Sequence, residues 1–204
     1  MGELFRTDAS AHDDYAVLGG WECRDGTPPH LARWFSMKIT AAHLPEFFSK
    51  GSAKKVVAGW ELLATMVAAR LFIPEGLSVG RCACTGATDN QGNAYIVARG
   101  LTTSFPLNIV MMQVVADLER RGAWLNLQWT RRDKNQEADD LTNMDYSKFD
   151  GARRICGEWR TADYDVMARL LPAGTMLYEE ATACRHLCAP RCPHPLPVIS
   201  MSSY

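Results

Sequence analysis

What the chain lacks narrows its character first. No apolar run reaches the ~18 uncharged residues of a membrane-spanning helix; the longest candidate, Val56–Pro74, is interrupted by Glu61 and Arg70. The opening residues, Met-Gly-Glu-Leu-Phe-Arg, hold no apolar signal core, and Arg6 stands where a myristoylation signal wants Ser or Thr. An excess of charge of one sign is missing too: 22 Lys+Arg face 23 Asp+Glu, a formal net charge of −1. A basic footprint for nucleic acid must therefore be local. No internal repeat is present. These absences lead us to expect an intracellular protein, cytoplasmic or nuclear, with no membrane partner.

What is present is the composition of a folded domain. Hydrophobic residues make up 47% and charged residues 22% of 204, which excludes wholesale disorder, collagen-like sequence and a coiled coil. Seven cysteines are an odd number. Without a secretion signal they read as thiols in a reducing compartment rather than as a disulfide framework.

The hydrophobic pattern divides the chain into elements. Strands are expected at Glu3–Ser10, Leu18–Cys23 and Leu31–Thr40, with Ala11–Val17 a loop and Asp25-Gly26-Thr27-Pro28-Pro29 a turn. Ser52 can cap a helix reaching about Leu71, with Val56, Val57, Trp60, Leu63, Ala64, Val67 and Leu71 on one apolar face. Leu77–Thr88, rich in small residues, reads as a buried strand. Asn90–Arg99 and Pro106–Arg121 read as helices, the second ended by Gly122. Ala123–Thr130 alternates as a further strand, and Gln136–Asn143 forms a short helical turn. The order predicts an α/β domain over residues 1–145: a five-stranded mixed sheet flanked by helices. Residues 146–173 read as a helical extension, and 174–204 as a disordered Cys- and Pro-rich tail. In that tail Cys184, His186, Cys188, Cys192 and His194 are zinc-type donors, but their spacing fits no common zinc module.

Four acidic residues fall where such a sheet collects chemistry. Asp8 ends the first strand, Glu61 lies mid-helix, Asp89 ends the fourth strand and Asp139 starts the last helix. The helical neighbours of Glu61 three and four positions away are Val57, Ala58, Ala64 and Thr65, so no local ion pair explains its charge. Either it stands at a rim facing water, or something cationic meets it. Asp139 can equally be an aspartate favoured by a helix N-terminus. Together, four carboxylates suit hard divalent cations, two of which can drive phosphodiester hydrolysis.

These residues carry a resemblance. Thr7-Asp8-Ala9-Ser10 followed by Gly19-Gly20-Trp21, then Glu61-Leu62-Leu63-Ala64, Thr88-Asp89-Asn90, and Asn135-Gln136-Glu137-Ala138-Asp139-Asp140-Leu141-Thr142 resemble the ribonuclease H domain of retroelement reverse transcriptases, especially those of tyrosine-recombinase-type retrotransposons. The last stretch, similar to an Asn-x-x-Ala-Asp-x-Leu-Ser signature, is the most specific. The resemblance implies a ribonuclease H-like sheet and cleavage of the RNA strand of an RNA–DNA hybrid. It also implies two Mg²⁺ ions, with Mn²⁺ able to substitute, held by Asp8, Glu61, Asp89 and Asp139. A polymerase domain is an expected partner. The loop Thr130-Arg131-Arg132-Asp133-Lys134 lacks the histidine that cellular relatives carry before the last helix.

Arg131, Arg132 and Lys134 beside the site, with Lys54-Lys55 and Arg120-Arg121 further off, are candidate phosphate contacts. Asn90, Gln91 and Asn135 are candidate polar contacts to the hybrid backbone. Trp21, Trp34, Trp60, Trp124 and Trp129 are expected in the core. Two alternatives remain beside the nuclease: a non-catalytic module that binds nucleic acid or acts as a scaffold, and another two-metal nuclease of resolvase or transposase type.

Overall fold

The computed structural model describes residues 2–49, 51–75 and 82–187. Five strands form one sheet: β1 (Phe5–Ala11), β2 (Tyr15–Glu22), β3 (Trp34–Thr40), β4 (Cys82–Thr88) and β5 (Ala123–Trp129). Their spatial order is β3-β2-β1-β4-β5. The first three are antiparallel neighbours, while β1–β4 and β4–β5 are parallel. This is the mixed sheet the pattern predicted.

The β1–β2 connection is tighter than the expected loop. The His12 amide donates to the Tyr15 carbonyl at 2.8 Å. The His12 and Tyr15 rings stack with centroids 4.2 Å apart, and Lys38 Nζ lies 3.9 Å from the Tyr15 centroid. Aromatic and cation–π contact lets this polar stretch start β2 at Tyr15.

Helix α1 (Val57–Phe72) follows a short turn, Ala53–Val56, whose Ser52 hydroxyl accepts from the Lys54 amide at 3.3 Å. Rather than one apolar face, α1 is buried on nearly every side from Gly59 to Ala69. It lies against β1 and β2 and also against helix α3 (Leu107–Arg121). Phe47 and Phe48 close on Trp60, with centroids 4.4 and 5.6 Å away. A helix apolar all round is a central helix. Helix α2 (Gln91–Arg99) packs beside it, capped by Asn90 Oδ1, which accepts from the Asn93 amide at 3.0 Å. Of the strand expected at Leu77–Thr88, residues 77–81 lie outside the described part.

Helix α4 (Gln136–Thr142) covers β1 and β2. A smaller core lies with it, formed by Trp21, Trp34, Ala138, Leu141 and Phe149. Gly19 makes this approach possible: a Cβ there would meet Leu141 Cβ at 2.9 Å and the Ala138 carbonyl at 3.1 Å.

The C-terminal part differs from expectation. Residues 146–164 are mostly irregular with short 3₁₀ turns, and helix α5 runs from Asp165 to Leu187, through the stretch expected to be tail. Only its first turns carry a buried stripe. Met167 and Leu171 are buried, and Gly174 admits Phe105 and Ile109, which a Cβ would meet at 2.7 and 2.8 Å. Beyond them the described side chains are mostly exposed, so the helix continues without the apolar periodicity that reveals helices in a sequence. Residues 188–204, with most of the suggested zinc donors, lie outside the described part. Among the described residues no helix is long and apolar enough to cross a membrane.

Candidate active site

Register brings the first two carboxylates together. Thr7 of β1 is aligned with Thr88 of the parallel β4. Asp8 and Asp89 are the next residues, and the parallel pairing brings them side by side in the middle of the sheet. Helix α1 supplies the third. Thr65 Oγ1 lies 3.2 Å from Thr7 Oγ1, pinning α1 across β1. Glu61 is one helical turn earlier, its carbonyl accepting from Thr65 Oγ1 at 3.1 Å. One carboxylate oxygen from each of Asp8, Glu61 and Asp89 lies within 4.8 Å of the others.

Asp139 stands outside this group. Its Oδ2 accepts from Gln136 Nε2 at 3.2 Å and from Asn143 Nδ2 at 3.0 Å. It is nonetheless close enough for its charge to act on Asp8. Helix α4 reaches the cluster through Thr142, whose hydroxyl donates to the Asp139 carbonyl at 2.9 Å and lies 3.5 Å from Asp8 Oδ2.

Glu61 is 6% exposed, which removes the solvated-rim reading. Burial, opposed by a hydrogen bond from Asn90 and reinforced by the charges of Asp8 and Asp89, pushes its carboxyl up to about 7. Burial, then the charge of Asp89, pushes Asp8 up to about 6. Arg132 opposes both shifts; its Nε lies 3.0 Å from Asp89 Oδ2.

Glu61 Oε2 and Asp89 Oδ1 are buried and accept no hydrogen bond. A buried carboxylate oxygen without a donor is costly. Hard oxygen donors at this spacing are the set that Mg²⁺ or Mn²⁺ takes. A divalent cation would meet both orphaned oxygens and offset the burial and the mutual repulsion that raise Asp8 and Glu61. The residues therefore fit a divalent-metal centre held by Asp8, Glu61 and Asp89.

The expected nucleic-acid contacts divide. Gln91, Arg131, Arg132 and Lys134 are exposed, and Asn90 is half-buried at the start of α2. Arg131 pairs with Asp133 at 3.1 Å. Asn135 has to be reassigned: it is 1% exposed, and its Nδ2 donates to the Thr7 carbonyl at 3.1 Å. It ties α4 to β1 and offers no surface to a duplex. The tryptophans divide as well. Trp21, Trp34 and Trp60 are core residues, whereas Trp124 and Trp129 are 58% and 51% exposed. Thr142 was not foreseen as a partner of Asp8. Its place in the Ala-Asp-x-Leu-Thr stretch, one turn after Ala138, was the available signal.

No family model and no curated protein matches the chain. Solved structures do. LC11-RNase H1, isolated from compost by a metagenomic approach, superposes with a TM-score of 0.50 at 17% identity over 72% of this chain and 98% of that one. LC11-RNase H1 in complex with an RNA/DNA hybrid gives 0.48 at 18% identity, covering 71% and 96%. RNase H1 from the halophilic archaeon Halobacterium salinarum gives 0.48 at 17%, covering 70% and 96%. The architecture is the ribonuclease H-like fold.

Proposed function

We propose that the chain is a divalent-metal-dependent endonuclease that hydrolyses the RNA strand of RNA–DNA hybrids, as part or remnant of a retroelement reverse transcriptase. The observation that carries this is the convergence of Asp8, Glu61 and Asp89, with two buried carboxylate oxygens lacking any donor. The retroelement assignment is supported by the motif stretches, above all Asn135-x-x-Ala138-Asp139-x-Leu141.

In this reading Asp8, Glu61 and Asp89 hold the metal, and Asp139 completes the acidic set from α4. Two bound Mg²⁺ ions, or Mn²⁺ in their place, would supply the Lewis acidity that activates water and stabilises the leaving oxygen. Thr142 steadies Asp8, and Asn135 fixes α4 against β1 at Thr7. Arg131, Arg132 and Lys134, with Asn90 and Gln91 at the head of α2, receive the hybrid backbone. Phosphate contacts of this kind position the duplex without reading its sequence.

The test is a hybrid with labelled RNA. Wild-type protein should cut the RNA strand with Mg²⁺ and leave it whole in EDTA. Asp89→Asn should abolish cutting with the circular-dichroism spectrum unchanged. An undiminished rate in that variant removes Asp89 from the mechanism. Hybrid binding with no cutting under any metal would favour the scaffold alternative, and preference for branched DNA the resolvase one.

A further inference from the structure

Trp129 is the next residue in the buried register of β5, after Ala123, Leu125 and Leu127, yet it is 51% exposed. Its ring is not loose. The indole N–H donates to the carbonyl oxygen of Asp89 at 3.1 Å, anchoring one edge of the ring to the backbone of a residue in the carboxylate cluster. Three residues later, Arg132 holds the side chain of the same aspartate. Residues 129–132 therefore grip Asp89 twice, at its carbonyl and at its carboxylate, and leave a flat aromatic surface and a guanidinium at the rim. The preceding residue Gln128 is exposed, and so is Arg131 two positions on. A large half-bare indole, fixed in orientation and followed two and three residues later by the exposed Arg131 and Arg132, is a flat surface suited to nucleic acid.

We propose that Trp129 is a nucleic-acid-binding residue, its exposed ring packing on a sugar of the substrate strand next to the scissile position. The inference rests on the hybrid-nuclease reading above. The ring gives the strand a fixed surface one residue contact away from Asp89, so binding and alignment with the carboxylates become one event. Packing on a sugar does not discriminate between bases, in keeping with a nuclease guided by backbone contacts.

The experiment compares the full chain with Trp129→Phe and Trp129→Leu. Phenylalanine keeps a flat face and loses the N–H; leucine keeps apolar bulk and loses the face. Affinity for a fluorescent RNA–DNA hybrid is measured in EDTA, where the strand stays whole, and KM and kcat in Mg²⁺. Trp129→Leu should weaken hybrid binding about tenfold. It should raise KM more than it lowers kcat, at an unchanged melting temperature. Trp129→Phe should stay near wild type. Trp124→Leu, at the opposite end of the same strand and 58% exposed, serves as control and should leave affinity unaltered. Wild-type-like binding by Trp129→Leu overturns the proposal while leaving the nuclease reading standing. So does an equal loss in the Phe and Leu variants, which would assign the effect to the N–H. A wild-type protein that neither binds nor cuts a hybrid is the separate result that removes the underlying function.

Discussion

Arg132 and Asp89 form an ion pair of unequal halves: the guanidinium is 77% exposed and the carboxylate 6% exposed, with Nε and Oδ2 3.0 Å apart. A solvated cation thus reaches in to a desolvated anion that has two acidic neighbours. The contact is weak as a source of stability, because one partner is screened by water. It does, however, place a positive charge beside the carboxylates that would hold a metal ion.

The first prediction follows from that competition. Arg132→Gln should bind Mn²⁺ more tightly than wild type, because a competitor for Asp89 is gone and the cluster is more negative. The same variant should bind the RNA–DNA hybrid more weakly, with the slope of log affinity against log salt reduced by about 1. Calorimetric Mn²⁺ titration and a salt series measure the two effects. Weaker Mn²⁺ binding would show that Arg132 supports the metal rather than opposing it.

Glu61 carries the second prediction. Its folded carboxyl titrates near 7, well above the ordinary ~4.3 of an unfolded chain. The folded state therefore holds the extra proton between those values, and stability falls as pH rises through that window. Asp8, pushed up to about 6, acts in the same direction. In EDTA, wild type should melt lower at pH 8 than at pH 5. Glu61→Gln should recover stability on the order of 3 kcal/mol at pH 8, about 5–10 °C for a chain this size, and little at pH 5. Mg²⁺ should raise the wild-type melting temperature more at pH 8 than at pH 5.5, since both carboxyls must lose their protons to bind it. Thermal melts across pH check both signs.

Much of this site was legible because local chemistry and tertiary position agree. Asp89 follows β4 as expected, whereas Asp8 lies within β1, which runs on to Ala11; the parallel pairing of those strands makes the two neighbours. Gly122 ends α3 in the left-handed region, φ +61°, as its place after Arg121 suggested. What stayed hidden depends on which element covers which. Alternation along β5 shows that Trp129 shares a register with Leu127, but not that cover ends before the strand does. Asn135 looks like a polar loop residue until the fold brings it to the Thr7 carbonyl, 128 positions away in sequence. Asp117 lies three residues before Arg120, and the fold adds Arg70 of α1, 47 positions away, to make it a buried hub.

That hub gives the third prediction. Asp117, 2% exposed, accepts from Arg70 at 2.7 and 3.0 Å, from Gln113 at 3.0 Å, and from Arg120. Gln113 in turn accepts the Val166 and Met167 amides at 2.9 and 3.1 Å, seating the start of α5. Asp117→Ala takes an acceptor from buried Gln113 and from Arg70, whose side chain is only 21% exposed, and should cost about 1–3 kcal/mol. The melting temperature should drop by roughly 5 °C. Limited proteolysis should cut near residue 165 first, and metal binding at the distant cluster should survive. Loss of metal binding with an intact α5 would contradict the separation of the two regions.

Gly19 allows the sharpest test of how the fold sets the site. It lies opposite Asp8 in the β1–β2 pairing, so a side chain there would rise on the same face as the carboxylate. A Cβ would come within 2.9 Å of Leu141 Cβ, 3.0 Å of Thr142 Cγ2 and 3.1 Å of the Ala138 carbonyl. These atoms belong to α4, whose carbonyl cannot swing aside as a flexible side chain would. Gly19→Ala should therefore lift α4 by a few tenths of an ångström and cost about 1–3 kcal/mol. Because α4 carries Asp139 and the Thr142 hydroxyl that reaches Asp8, metal affinity and hybrid cleavage should fall further than stability alone accounts for. Gly151→Ala, where a Cβ meets nothing within 4 Å, should change neither. If Gly19→Ala lowers the melting temperature but binds Mn²⁺ as wild type does, α4 is a structural cover, and the metal site is complete with Asp8, Glu61 and Asp89 alone.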